Sequence, residues 1–98
     1  MQKRIGIIGC GTIGRELALA IDNSYVGDVA LVFLFDTITN VSSNLKDRLV
    51  NNNPSIFSNF SHLTSSQSYK QADIVVEAAS QEAVRMFAEK LFHQTKAL

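Results

Sequence analysis

The chain has 98 residues, 46% of them hydrophobic and 18% charged, with a formal net charge of zero. That length holds one small domain at most, and the composition lies outside the polar, highly charged signature of disorder and lacks the basic footprint of a nucleic-acid binder. A single cysteine, Cys10, excludes an internal disulfide, and no apolar run approaches the roughly 20 residues that span a bilayer, so neither nucleic acid nor membrane is expected as a partner.

In chain order, Lys3 to Gly9 carries Ile5, Ile7 and Ile8 and is predicted as a first strand. It begins almost at once, leaving no room for a signal peptide, and a cytoplasmic protein is expected. A helix follows, with Ile13, Leu17, Ala20 and Ile21 on one side, Arg15, Glu16 and Asp22 elsewhere, and Asn23, Ser24 and Gly27 stopping it. Val29 to Phe35 is a second strand. Ile38, Val41, Leu45 and Leu49 then repeat at three and four, with Lys46, Asp47 and Arg48 outward, until Asn51-Asn-Asn-Pro54 ends this second helix. From Ile56 to Gln71 serine and asparagine blur every period; Ile56-Phe57 has the makings of a short strand, and Phe60 and Leu63 of a helical turn, but the stretch reads as irregular. Asp73 to Glu77 is a further strand, and Ser80 opens a last helix with Glu82 in its first turn and Val84, Phe87, Ala88 and Leu91 as its stripe.

The strands are continuously apolar rather than alternating, the pattern of parallel strands covered on both faces. Into the first turn falls Gly9, Gly11 and Gly14, spaced G-x-G-x-x-G. In that arrangement the first glycine permits the tight strand-to-helix turn, the second lets a pyrophosphate approach bare backbone, and the third lets helix and strand press together. The helix N-terminus offers unpaired N–H groups and a positive dipole end to an anion. Asp36 stands at the end of the second strand, 22 positions after Gly14, where a carboxylate can accept both adenosine-ribose hydroxyls and repel a 2′-phosphate. The expected architecture is therefore α/β: a Rossmann-type, doubly wound parallel sheet of about four strands in the order 3-2-1-4, incomplete, with helices on both faces. The expected cofactor is NAD, with NADP still possible because Thr37 is small and Arg48 or Lys46 could swing in. The candidate cofactor-binding residues are Gly9, Gly11, Thr12, Ile13, Gly14, Asp36, Ala78, Ala79 and Ser80.

Ile5-Gly-Ile-Ile-Gly-Cys-Gly-Thr-Ile-Gly14 and Ala72-Asp-Ile-Val-Val-Glu-Ala-Ala-Ser-Gln-Glu-Ala-Val84 together resemble the N-terminal domain of the L-aspartate dehydrogenases, and more distantly that of the homoserine dehydrogenases. The second block is the specific one; the middle third matches poorly. The resemblance implies NAD(P)-dependent oxidation of L-aspartate to iminosuccinate, which hydrolyses to oxaloacetate and ammonia. It also implies a later α+β domain holding the substrate-binding and catalytic residues, an acid/base histidine among them, and the subunit interface. None of those is expected within these 98 residues, so the chain alone is expected to lack turnover, either as part of a longer enzyme or as a stand-alone dinucleotide-binding module. The strand at Ile74 to Glu77 is expected to form an apolar sheet edge open to self-association.

The remaining chemistry-bearing residues have plainer readings. Cys10 reads as a small residue filling the glycine turn rather than a redox sensor. Glu77 either approaches the nicotinamide end or accepts backbone N–H groups. Ser80 and Gln81 either touch the nicotinamide ribose or, for Ser80, cap a helix. His62 and His93 stand alone, with no second ligand at metal spacing, and are assigned to the surface, so no metal site is expected.

Overall fold

The computed structural model describes residues 2–78. Within them the order is β1 (Lys3–Ile8), α1 (Thr12–Asp22), β2 (Val29–Phe35), α2 (Thr39–Arg48), β3 (Ser55–Phe57), α3 (Phe60–Thr64), α4 (Gln67–Gln71) and β4 (Ile74–Glu77). The expected last helix, from Ser80 on, lies outside the described residues. The strands form one sheet in the order β3-β2-β1-β4, every neighbouring pair parallel, as the alternation of apolar strands and helices predicts.

Each face of the sheet has its own core. On one, Ile5, Ile7, Leu31, Leu34, Ile74 and Val76 pack with Ala18 and Ile21 of α1 and Leu45 of α2. On the other, Phe33, Phe35 and Val75 pack with Leu63 of α3 and Ala72, and Tyr69 of α4 lies against them. A fully buried Ile, Leu or Phe contributes on the order of 2 kcal/mol, so the two-sided strands, rather than the short helices, carry most of the stability. The register of β1 on β2 shifts between Ile5, opposite Leu31, and Gly6, opposite Phe33. Val32 is the extra residue of this bulge. The bulge brings the Phe33 ring over Gly6, where any Cβ would overlap it. Phe33 has no exposure, and its ring meets those of Phe57 and Tyr69.

Three sequence expectations need correction. The stretch from Ile56 to Gln71 is ordered as β3, α3 and α4, because its polar residues are caps: Asn59 accepts from the His62 amide and Ser66 from the Tyr69 amide. His62 itself is exposed. Ile38 does not join the apolar stripe of α2; it is the N-cap and 61% exposed, while Ser42 and Leu45 are the buried residues of that helix. Asp22, placed off the apolar face of α1, is only 3% exposed.

Asp22 is the polar centre of the lower end of the fold. Its carboxylate accepts from the amides of Val50 (2.8 Å) and Asn51 (2.9 Å) and from the Asn52 side chain (3.0 Å), and Asn51 donates to its carbonyl. Asn52 in turn accepts from the Leu31 amide of β2. Asn51 and Asn52 therefore tie the loop after α2 to α1 and β2 as well as ending a helix. Burial pushes the Asp22 carboxyl up, but the bonds from Val50, Asn52 and Asn51 outweigh it and hold the group below its ordinary 3.8.

Candidate functional site

β1 ends at Ile8, and the chain turns at Gly9 with φ of +96°, a left-handed conformation that favours glycine. Gly9 donates its amide to the Phe35 carbonyl, fixing the turn to the end of β2. Gly11 is the N-cap of α1, with φ −71° and ψ −157° and no side-chain capping bond, and the first turn of α1 contains no acidic residue. The N–H groups at that helix end have no side-chain acceptor, the condition in which a helix N-terminus receives an anion. A Cβ at Gly11 would meet nothing within 4 Å; the glycine keeps open a cradle that a side chain would fill. Gly14 is glycine for the opposite reason. A Cβ there would overlap the Gly9 carbonyl oxygen, and Gly14 is buried, so α1 can pack this close to the turn only without a side chain.

Asp36 follows β2, and two backbone amides aim its carboxylate. Cys10 donates to Oδ2 and Ile38 to Oδ1, both at 2.9 Å, while the Asp36 amide donates to the Phe57 carbonyl of β3. Two amide bonds leave acceptor capacity on both oxygens for ligand hydroxyls. Cys10 is buried and its thiol donates to the Phe35 carbonyl at 3.5 Å. Burial, then the Asp36 carboxylate, pushes the thiol up to about 12, which makes it an inert packing residue.

These groups meet in a crevice of about 330 Å³ at the carboxyl ends of the strands, lined by Gly9, Gly11, Thr12, Ile13, Asp36 and Ala78. It lies between β1 and β4, where the strand order reverses, which is where open α/β sheets hold their ligands. Gly14 stands behind it, against Gly9; Ala79 and Ser80, also candidates, lie outside the described residues. Gly9 and Asp36 are shared with an adjoining cleft of about 340 Å³ lined by Ile8, Gly9, Phe35, Asp36, Thr37 and Glu77. A third, of about 240 Å³, lies between α1 and α2 and is lined by Cys10, Arg15, Val41, Asn44, Leu45 and Arg48. Sequence reasoning gave Arg15 only an outward position on its helix; residues 15 and 48 become neighbours solely because α2 folds back beside α1. No group of three or more His, Cys, Asp or Glu able to hold a metal occurs among the described residues, and no helix among them is long and apolar enough to cross a membrane.

An open diphosphate-sized corner, uncapped helix amides and an acid aimed at the same crevice fit an adenine dinucleotide. Comparison with known proteins agrees. The chain is 43% identical over 97 residues to an L-aspartate dehydrogenase of Nitrosopumilus maritimus, covering 99% of this chain and 34% of that protein. It is 40% identical over 81 residues to an L-aspartate dehydrogenase of Methanococcoides burtonii, covering 83% and 27%. The chain thus spans about a third of the length of the curated relatives it matches. Among solved structures, the myo-inositol dehydrogenase of Lactobacillus casei, in complex with NAD(H) and myo-inositol, superposes with a TM-score of 0.67 at 17% identity, over 98% of this chain and 27% of that one, which shows the shared fold. The family model described as the NAD-binding domain of homoserine dehydrogenase matches residues 9–98, and the chain belongs to that family of NAD-binding domains.

Proposed function

We propose that this chain is the dinucleotide-holding part of an L-aspartate dehydrogenase, in which L-aspartate is oxidised to iminosuccinate and thence to oxaloacetate and ammonia. The observation that carries the reading is the Gly9–Gly11–Asp36 crevice, together with identity to L-aspartate dehydrogenases across nearly the whole chain. Bound NAD supplies the hydride acceptor. The amides of Gly11, Thr12 and Ile13 would receive the diphosphate, with Gly9 making the turn and Gly14 letting α1 pack against it; Asp36 would receive the adenosine-ribose hydroxyls, and Ala78, Ala79 and Ser80 would flank the nicotinamide half. Substrate-binding and acid/base residues belong to the parts of the enzyme beyond these 98 residues. The 98-residue chain is accordingly expected to quench or shift NADH fluorescence on titration yet form no NADH from NAD and L-aspartate. Aspartate-dependent turnover would overturn the division of labour, and absence of NADH binding the reading itself.

Asp36 sets cofactor choice in this scheme. Asp36→Ala is expected to weaken NADH by about tenfold, the worth of a charge-assisted hydrogen bond or two, while NADPH loses little or gains. Paired titrations with the two dinucleotides check this; an unchanged ratio would show that the carboxylate does not reach the ribose.

Among the described residues β4 pairs with β1 alone, and its first three residues, Ile74, Val75 and Val76, are apolar and buried, with Glu77 at its end. Such an edge accepts another strand, which we assign to the rest of the parent enzyme or, for the 98-residue chain, to a second copy. Light scattering is expected to show concentration-dependent association; a clean monomer at high concentration would count against it. A lone buried free thiol and dependence on NAD fit the cytoplasm.

A further inference from the structure

We infer that Gly6 and Phe33 act together as a register key for Asp36: the ring of one fits over the missing side chain of the other, and this fit turns the acid toward the glycine crevice, which makes both of them positioning residues for the dinucleotide's ribose. The inference rests on the reading of that crevice as the dinucleotide site, and it gives a role there to two residues buried inside the sheet.

β2 reads Val-Ala-Leu-Val-Phe-Leu-Phe, apolar at every position. A strand covered on both faces buries apolar side chains in either of two registers one residue apart, so its hydrophobic pattern does not choose between them. The observed ladder uses both. Lys3, Arg4 and Ile5 face Val29, Ala30 and Leu31; Val32 is then skipped, and Gly6, Ile7 and Ile8 face Phe33, Leu34 and Phe35. Val32 and Phe33 in consequence pack on the same core, while Leu31 and Leu34 share the other. Continued without the slip, the ladder would set Phe33 against Ile7, and each side chain above it would change face. Asp36 would then stand one residue farther along and point toward the face of α3 and α4, away from the Cys10 amide that donates to its Oδ2 at 2.9 Å.

Side-chain shape selects the slipped register. Phe33 is fully buried, and its ring lies where a Cβ on Gly6 would overlap it. Gly6 is the one position of β1 without a side chain, so the ring finds this gap at a single level of the sheet. The rings of Phe57 and Tyr69 abut it, at centroid distances of 6.5 and 6.0 Å. The two halves of β2 also have different supports. Leu31, below the slip, donates its amide to the Asn52 side chain at 2.9 Å, whereas β3 pairs with Phe33, Leu34 and Phe35 above it. The bonds that place the acid belong to the upper half: the Gly9 amide reaches the Phe35 carbonyl at 2.8 Å, and the Asp36 amide reaches the Phe57 carbonyl at 3.1 Å.

The test is a double-mutant cycle. NADH titration by fluorescence, and displacement of bound NADH by AMP, are run on wild type, Phe33→Leu, Asp36→Ala and the combined variant, each well below its melting temperature. Phe33→Leu removes the ring and leaves an apolar core residue; Phe33→Met, nearer in volume, gives the same comparison with a smaller loss of stability. The expected result is a loss of about fivefold or more in NADH and AMP affinity when Phe33 is replaced in the wild-type chain, and of less than about twofold when it is replaced in the Asp36→Ala chain, because the two substitutions remove one and the same contact. The fall in melting temperature caused by replacing Phe33 is expected to be equal in both backgrounds, which separates positioning from support of the core. Equal losses of affinity in both backgrounds would place the effect on the glycine turn or the fold as a whole and overturn the proposal. So would NADH affinity indifferent to both Phe33 substitutions, or an Asp36→Ala chain that binds NADH as wild type does. Failure of wild type to bind NADH would instead sink the dinucleotide reading, and this proposal with it.

Discussion

Gly11→Val is expected to abolish NADH binding, by at least a hundredfold, while leaving the melting temperature within a few degrees of wild type. The two halves of that outcome have separate causes. Gly11 has φ −71° and ψ −157°, backbone that any residue adopts, and a Cβ there would touch nothing within 4 Å. Folding therefore loses only a fair N-cap residue, about 1 kcal/mol. The space that is open to a Cβ is the space assigned to the diphosphate, and a branched side chain standing in it removes the approach to the helix amides on which the ligand depends. Gly14→Ala should show the reverse. Its methyl group would overlap the Gly9 carbonyl oxygen, a backbone atom with no flexible end to swing aside, and a cost of about 3 kcal/mol or more follows from overpacking at a rigid contact. Calorimetry and NADH fluorescence on both variants separate the two roles. A Gly11→Val chain that still binds NADH would show that the diphosphate lies elsewhere.

The legibility of this fold in its sequence follows the physics of each element. β1, β2 and β4 were readable because strands buried on both faces must be apolar at every position, and no helix period competes with Val29 to Phe35. The order β3-β2-β1-β4 follows from right-handed crossovers once those strands are known. β3, α3 and α4 were obscured because a three-residue edge strand and two single-turn helices offer too few residues for a period, and their capping residues, Asn59 and Ser66, carry the same composition as a loop. At the candidate site, the meeting of Gly9, Gly11 and Asp36 in one crevice was legible because a glycine turn after β1 and an acid closing β2 stand at fixed places in this architecture. The Arg15 and Arg48 cleft was not, since α1 and α2 come side by side on one face of the sheet and no local spacing records that contact. Gly6 likewise gives no signal by itself; its meaning depends on a bulge in β2 that turns Phe33 onto it.

The buried carboxylate of Asp22 carries the second large expectation. Asp22→Ala leaves the Val50 and Asn51 amides and the Asn52 side chain without their acceptor, and an unpartnered buried donor costs about 1–3 kcal/mol. For the group as a whole about 3 kcal/mol of destabilisation is expected, a large share of what a domain this small possesses. The same network predicts acid sensitivity. The Asp22 carboxyl is held below its ordinary 3.8 in the folded chain because the bonds from Val50, Asn52 and Asn51 overcome the effect of burial. A depressed folded value means that the unfolded chain takes up the proton first, so the stabilisation is fully present above about pH 4 and is lost as pH falls through the unfolded and then the folded value. Asp73 adds in the same direction, lowered chiefly by the Arg4 amide bond to its Oδ2, but it is partly exposed and its ion pair with Arg4 at 3.6 Å is worth little. Denaturant unfolding of wild type and Asp22→Asn between pH 3 and pH 7 separates the contributions. The difference in stability between the two should be largest near neutral pH and shrink below pH 4; a difference that stays constant across that range would show that the charge on Asp22 contributes nothing to holding the α2–β3 loop against α1.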